Sequence, residues 1–137
     1  MTSVSVVVPT WRRPADLVRC LEGLAAQSAA PTEVVVVART DDEESRTALE
    51  TRAPAGLSVR VVLLDRPGMV PSLNAGLGTA SSDIVAITDD DAVPRPDWLE
   101  RMAEHFAGDP KIGAVGGRDH LQDAPVDGGR EIVGAIR

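Results

Sequence analysis

Four short runs rich in valine, isoleucine and leucine most limit how this 137-residue chain can fold. They occupy residues 4–8, 34–37, 57–64 and 84–87, and Pro9 stops the first of them. Branched apolar side chains in runs of this length are typical of β-strands, and runs without polar alternation predict strands that are buried on both faces. The sequence therefore predicts a sheet that other elements cover on both sides.

A segment with helical periodicity follows each run. The first begins at Pro14, and the second is predicted from Thr40 and Glu43, which have the spacing of a capping box. The third and fourth cover about residues 70–80 and 98–106, and two glycines weaken the third. Strands that alternate with helices predict an α/β fold, a three-layer α/β/α sandwich with a mainly parallel sheet and right-handed crossovers.

Composition and charge exclude several classes of protein. A hydrophobic fraction of 43% and a charged fraction of 26% are typical of a folded domain rather than of a disordered chain. The net charge of −7, with no basic cluster, predicts no nucleic-acid partner. The single cysteine, Cys20, cannot form an internal disulfide, and its place among apolar helix positions predicts a buried, inert thiol.

The chain carries no apolar run near the ~20 residues that a membrane-spanning helix needs. Its start also lacks the charged and apolar regions of a secretory signal. We therefore expect a cytoplasmic protein, and attachment to the inner face of the membrane stays open.

Charged residues follow three of the predicted strands, at 9–13, 65–68 and 89–91. Ligands of parallel sheets bind beyond the carboxyl ends of the strands. Three adjacent carboxylates repel one another, so a cation would stabilise them, and Mg²⁺ and Mn²⁺ prefer such oxygen ligands. Asp89 and Asp91, as alternate residues, would face one such site; the other interpretation is a solvated acidic turn.

Arginines near the first and third strand ends have two interpretations as well. Arg12, Arg13 and Arg66 would make forked contacts to phosphate groups, or they are ordinary exposed side chains.

These segments, taken in order, resemble family 2 glycosyltransferases over about residues 4–118. The matching segments are Val-Val-Val-Pro-Thr at 6–10, Arg-Pro at 13–14, the apolar helix at 17–24, Asn-Ala-Gly at 74–76, the strand with its DxD motif at 83–94, Pro-Asp-Trp-Leu at 96–99, and Gly-Gly-Arg at 116–118.

The resemblance implies a GT-A fold, Rossmann-like in its layers, whose amino-terminal half binds a nucleotide-diphosphate sugar and Mn²⁺ or Mg²⁺. Asp91 would hold the metal together with Asp89, which would also approach the sugar or ribose. The other nucleotide-sugar-binding residues implied are Thr10 and Arg13 at the nucleoside, Arg66 near the diphosphate, Asn74 in its helix, and Asp90 beside the metal ligands.

The chain departs from the family at two places. The family often ends its second strand with Asp-Asp-Gly-Ser, where this chain has Ala-Arg-Thr-Asp at 38–41, so Asp41 is the candidate to contact the base. The family's general base and acceptor-binding half lie farther along, and none of the carboxylates after residue 118 is assigned as the base. We therefore expect a truncated enzyme, with a nucleotide-sugar-binding half at 1–118 and an irregular tail at 119–137.

The resemblance thus predicts a glycosyltransferase that inverts the anomeric centre and acts on a sugar, lipid or other hydroxyl acceptor. A completing chain or a homo-oligomer would supply the missing half. The alternative is a non-catalytic nucleotide-binding or interaction module of the same fold. A phosphoacceptor receiver domain is disfavoured because Pro9, Thr10 and Trp11 stand where that fold needs acidic residues. A nucleotidyltransferase is disfavoured because the sequence has no Gly-rich basic loop after the first strand.

Overall fold

The computed structural model describes residues 2–120 and 135–136, which form alternating strands and helices. In chain order the elements are β1 (Val4–Pro9), α1 (Pro14–Ala25), β2 (Glu33–Arg39), α2 (Glu43–Arg52), β3 (Val59–Leu64), α3 (Met69–Thr79), β4 (Ile84–Ile87), α4 (Trp98–Gly108), β5 (Ala114–Val115) and β6 (Ala135–Ile136). The chain divides into two compact units, residues 1–100 and 101–137.

The first unit is built on a four-stranded parallel sheet in the order β3-β2-β1-β4. Val6 of β1 pairs with Val34 of β2 on one side and with Ala86 of β4 on the other. From β1 the chain moves outward twice, to β2 and then to β3, and it returns across the sheet to β4. Right-handed crossovers therefore place α1 and α2 on one face and α3 on the other. The predicted α/β fold with a mainly parallel sheet is confirmed.

Valines fill both faces of the two central strands. Val7, Val35 and Val37 form a buried cluster on one face, and Ala75 within α3 and Ala80 just after it pack against this cluster. The valines that alternate with them are equally buried and face the α1 side; they are Val6, Val8, Val34 and Val36. Burial on both faces explains why these runs lack polar alternation.

The helix α3 approaches the sheet most closely at Gly76. A Cβ at this position would lie 2.3 Å from Val7 Cγ1 and 3.3 Å from Val37 Cγ2. Both valine side chains are buried, so neither has free space into which it can move. The sequence indicates Gly76 only as a weak point of the helix, whereas in the structure the absence of a side chain sets the distance between helix and sheet.

A buried carboxylate joins the amino-terminal ends of the strands. Oε1 of Glu33 accepts hydrogen bonds from the Ser5 hydroxyl at 2.7 Å and from the Ser81 backbone N–H and hydroxyl, each at 2.8 Å. Arg60 lies 3.6 Å from its other oxygen. These bonds, led by the one from Ser5, lower the pKa of Glu33 from 4.5 to about 2. The cluster lies at the amino-terminal ends of the strands, whereas the predicted site lies at their carboxyl ends.

The start of α2 differs from the sequence-based expectation. The N-cap of α2 is Asp42, whose side chain accepts a hydrogen bond from the Ser45 N–H, so the capping box predicted from Thr40 and Glu43 is wrong. The capping residue Asp42 is followed by two more acidic residues in the first turn, Glu43 and Glu44.

The second unit contains most of α4 and a small antiparallel pair. The strand β5 is two residues long and pairs with β6, with Ala114 opposite Ile136. Within the segment predicted as a tail, residues 119–120 and 135–136 are described, and 121–134 and 137 lie outside the described residues. The domain boundary at residue 118 stays a prediction. Across the described parts of both units, every helix is too short or too polar to cross a bilayer.

The packing at Gly76 gives a direct test. We expect Gly76→Ala to lower the free energy of unfolding by about 1–3 kcal/mol, because the new methyl group overlaps Val7 in a filled core. Gly78→Ala is the matched control, since a Cβ at Gly78 meets nothing within 4 Å and a better helix former adds up to about 1 kcal/mol. Denaturant unfolding of the two variants measures the difference, and equal shifts would contradict this account.

The Glu33 cluster predicts a dependence of stability on pH. Between pH 4.5 and 2 the carboxyl group is protonated in the unfolded chain and ionised in the folded one. The unfolded state then binds more protons, so stability falls as the pH falls through this window. We expect Glu33→Gln to be less stable at neutral pH and to lose less stability on acidification. Urea unfolding at several pH values tests this, with the exposed Glu50→Gln as the control that should follow the wild-type slope.

Candidate functional site

Three loops of the first unit leave the carboxyl ends of adjacent strands β2, β1 and β4. They are residues 40–42, 10–13 and 88–91, and hydrogen bonds join the second loop to each of the other two. Because parallel strands end at one edge of the sheet, the loops meet although they are far apart in sequence. These loops therefore form one connected group of residues, which includes two of the three predicted segments, those at 9–13 and 89–91.

Asp90 is the buried centre of this group. Its side chain is 3% exposed, its Oδ2 accepts the Thr10 hydroxyl at 2.9 Å, and its Oδ1 lies 3.5 Å from Nε of Arg13. Burial raises the pKa of Asp90, and the Thr10 hydrogen bond and the Arg13 charge offset only part of that rise. Asp90 thus fixes the acidic loop to the end of β1 through the Thr10 hydroxyl.

Asp89 and Asp91, on either side of Asp90, are exposed. Nη1 of Arg13 donates to Oδ2 of Asp91 at 3.1 Å, and both of these side chains are 52% exposed. The backbone carbonyl of Asp89 accepts a hydrogen bond from the Cys20 thiol of α1 at 3.6 Å. Exposure therefore alternates along the three aspartates, with Asp90 buried between two exposed neighbours.

Cys20 is the buried thiol that the sequence predicts. Burial, with added repulsion from the three aspartates beginning with Asp90, raises the pKa of Cys20 from 9.0 to about 12. The thiol is therefore protonated at physiological pH, which makes it a poor nucleophile.

An exposed tryptophan stands beside these loops. The ring of Trp11 is approached by two guanidinium groups, with Cζ of Arg12 at 4.5 Å and Cζ of Arg39 at 4.6 Å from its centroid. Both distances are in the range of a cation–π interaction. Nε of Arg39 also lies 3.4 Å from Oδ1 of Asp41, the residue predicted to contact a base. Sequence reasoning missed Trp11 as a site residue, because a lone aromatic has no diagnostic spacing.

Asp42 is a second residue that sequence reasoning missed. It is 1% exposed, and its carboxylate accepts the Arg12 N–H at 2.8 Å and the Ser45 N–H at 3.2 Å. Burial alone would raise the pKa of Asp42, but these hydrogen bonds outweigh it and lower the pKa. Arg12 has a φ of 51°, a left-handed conformation that costs energy outside glycine, and the Asp42 bond stabilises it.

Arg66 and Asn74 belong to a different part of the unit. Arg66 follows β3, the strand at the opposite edge of the sheet from β4, and Asn74 lies on α3. Both are exposed, and within the described residues neither side chain makes a hydrogen bond or an ion pair. Their roles in nucleotide-sugar binding stay predictions.

The acidic loop fits a hard divalent cation through two exposed carboxylates, those of Asp89 and Asp91. In the part of the chain that the structure describes, no three Asp, Glu, His or Cys side chains form a group that could hold a metal ion by themselves. Mg²⁺ and Mn²⁺ are commonly bound by one or two carboxylates together with substrate phosphates. The donor set therefore matches a cation that shares its coordination with a phosphate ligand.

The bonds of Asp42 give a testable difference between two adjacent aspartates. We expect Asp42→Ala to lower the free energy of unfolding by about 1–3 kcal/mol, because it removes the cap of α2 and leaves the Arg12 N–H without its acceptor. Asp41→Ala is the control, and it should change stability by less than about 0.5 kcal/mol because Asp41 is exposed. Equal losses in thermal or urea unfolding would show that Asp42 does not hold the loop.

Comparison with known proteins gives the family. The model of glycosyl transferase family 2 matches residues 5–133. A glucosyl-dolichyl phosphate glucuronosyltransferase of Haloferax volcanii is 31% identical over 116 residues, which are 83% of this chain and 37% of that protein. A succinoglycan biosynthesis protein of Rhizobium meliloti is 34% identical over 126 residues, 91% of this chain and 35% of that protein. The chain therefore spans little more than a third of the length of these relatives.

Solved structures agree with this result. A mannosyltransferase from Pyrobaculum calidifontis, solved in complex with GDP-Man and Mn²⁺, superposes with a TM-score of 0.73 at 31% identity and covers 82% of this chain, which spans 34% of that structure. A glucosyl-3-phosphoglycerate synthase from Mycobacterium tuberculosis shares the fold, with a TM-score of 0.64 at 20% identity over 81% of this chain and 42% of the other. The strand ends, the acidic loop and these matches together show that the chain belongs to glycosyltransferase family 2, with a GT-A fold.

Proposed function

We propose that this chain forms the nucleotide-sugar-binding part of a metal-dependent glycosyltransferase. The observation that carries the proposal is the arrangement around Asp90, which is buried between Thr10 and Arg13. This arrangement leaves Asp89 and Asp91 exposed on one loop, with the guanidinium of Arg13 beside them. A pair of free carboxylates next to a cationic side chain suits a ligand that combines a dication with a diphosphate.

Asp91 and Asp89 would hold Mn²⁺ or Mg²⁺. When bound, such an ion stabilises the negative charge that grows on the diphosphate as the bond to the sugar breaks. Asp90 would orient the two ligands through the main chain of the loop and would not contact the metal itself. Thr10 would act in the same way, through its hydrogen bond to Asp90.

The nucleoside would lie toward the loop after β2. Trp11 offers an exposed aromatic surface, and Arg12 and Arg39 offer hydrogen-bond donors beside it. Asp41 is the exposed carboxylate of this loop, whereas Asp42 has its oxygens occupied by backbone N–H groups. We assign the contact with the base to the group of Trp11, Arg39 and Asp41.

The reaction follows from the resemblance to the family. The acceptor hydroxyl oxygen attacks the anomeric carbon, the bond from that carbon to the phosphate oxygen breaks, and the nucleoside diphosphate leaves with the electron pair. A single displacement inverts the anomeric centre. The hydroxyl proton passes to a general base that we do not identify among these residues.

The acceptor is a sugar, lipid or other hydroxyl compound. One relative is named for its action on a glucosyl-dolichyl phosphate, and another for succinoglycan biosynthesis. This chain spans 37% and 35% of those proteins, so transfer would require further residues from the same protein or from a partner. A cytoplasmic location, with or without attachment to a membrane surface, stays a prediction.

Calorimetric titration tests the binding step. We expect the 137-residue chain to bind UDP or GDP only when Mn²⁺ is present, and Asp91→Ala to weaken this binding at least about tenfold, because loss of a charged ligand to the cation costs more than about 1.4 kcal/mol. Asp83→Asn is the matched control. Asp83 directly precedes β4, at the end of that strand away from the acidic loop, and its replacement should leave binding unchanged.

Two outcomes would count against the proposal. No heat of binding for either nucleotide at millimolar concentration with Mn²⁺ present would refute nucleotide recognition. Binding without any transfer to hydroxyl acceptors would favour the alternative of a non-catalytic nucleotide-binding module.

A further inference from the structure

Arg13 makes two unequal contacts with the acidic loop. Its Nη1 donates to Oδ2 of Asp91 at 3.1 Å, and its Nε lies 3.5 Å from Oδ1 of Asp90. Asp90 is buried and tied to Thr10, whereas Asp91 is 52% exposed. One contact is therefore fixed within the fold and the other is open to exchange with solvent and ions.

We propose that Arg13 competes with the divalent cation for Asp91, and that the diphosphate of the donor draws Arg13 away, so that metal and nucleotide bind cooperatively. This inference rests on the proposed function of the site and adds the coupling between its two ligands.

The competition follows from the atoms involved. Oδ2 of Asp91 is the oxygen that accepts the guanidinium N–H, and an ion bound through that oxygen would stand beside a fixed positive charge. Like charges at this separation repel, so the ion binds weakly while Arg13 remains in place. Arg13 is 52% exposed, and its movement needs no unfolding of the loop.

A diphosphate changes this balance. Its oxygens accept forked hydrogen bonds from a guanidinium group, which gives Arg13 a new partner close to the acidic loop. The contact with Asp90 keeps the side chain near the site during the exchange. By linkage, the nucleotide then raises the affinity for the ion by the same factor as the ion raises the affinity for the nucleotide.

Electron paramagnetic resonance of Mn²⁺ measures this coupling, because the signal of the free ion falls as it binds. The titration is made on the 137-residue chain with Mn²⁺ alone and with saturating UDP or GDP, after correction for Mn²⁺ bound by the nucleotide in solution. We expect Arg13→Met to bind Mn²⁺ alone about two- to fivefold more tightly than wild type, which is the strength of an exposed ion pair. The increase in Mn²⁺ affinity on adding nucleotide should shrink by at least the same factor.

Arg19→Met is the matched control. Arg19 is an exposed arginine on α1 that pairs with Asp16, so its loss changes the net charge equally without touching the site. Its Mn²⁺ affinity and coupling should equal those of wild type. If Arg13→Met binds Mn²⁺ no more tightly than Arg19→Met does, the competition is refuted while the proposed function stands. If the wild-type chain binds neither nucleotide with Mn²⁺, the proposed function itself fails.

A second variant covers the case in which Arg13→Met does not fold. Arg13→Gln removes the charge but keeps an amide that can donate to Asp90, and thermal unfolding shows which variant is folded. It should reproduce the tighter binding of Mn²⁺ and the smaller coupling. Wild-type values for a folded Arg13→Gln variant would overturn the inference.

Discussion

The candidate site depends on one hydrogen bond, from the Thr10 hydroxyl to the buried carboxylate of Asp90. A carboxylate that is removed from water needs partners within the protein, and Thr10, Arg13 and the backbone N–H of Trp11 supply them. All three follow β1, while Asp90 follows β4. The bond therefore joins the ends of two adjacent strands and determines which side chains of the acidic loop remain outside.

The carboxylates at the two ends of the strands differ in whether their oxygens are bonded within the fold or exposed to solvent. At the amino-terminal end, Glu33 accepts three hydrogen bonds on one oxygen, so the strands are joined there by a carboxylate that is fully used within the fold. At the carboxyl-terminal end, Asp89 and Asp91 keep oxygens that solvent can reach. In a parallel sheet all strands begin at the same end and finish at the same end. A structural carboxylate and a candidate binding loop can therefore lie at opposite ends of the same strands.

Much of the fold could be predicted because its signals are local. Valine runs in β1 and β2 specify buried strands, and the positions of Leu17, Leu21 and Leu24 specify the buried face of α1. The alternation of strands and helices allows only a few topologies for the sheet. The position of the acidic loop at the carboxyl ends of the strands could therefore be predicted as well.

The rest depends on contacts between distant segments. The alternate spacing of Asp89 and Asp91 is visible in the sequence, but the partner that holds Asp90 between them, the Thr10 hydroxyl eighty positions earlier, is not. Asp42 was missed for the same reason, since half of its role is to accept the N–H of Arg12, thirty positions earlier in the chain. The resemblance to the family supplied the candidate residues but not the hydrogen bonds that hold them.

The close approach at Gly76 constrains how relatives of this chain can diverge. Its neighbour Val7 lies on β1, the strand that leads directly into Thr10. A larger residue in the helix can be accommodated only where the facing strand position becomes smaller or the helix shifts outward. In an alignment of relatives, these two columns should vary together, with bulk gained in one compensated by bulk lost in the other.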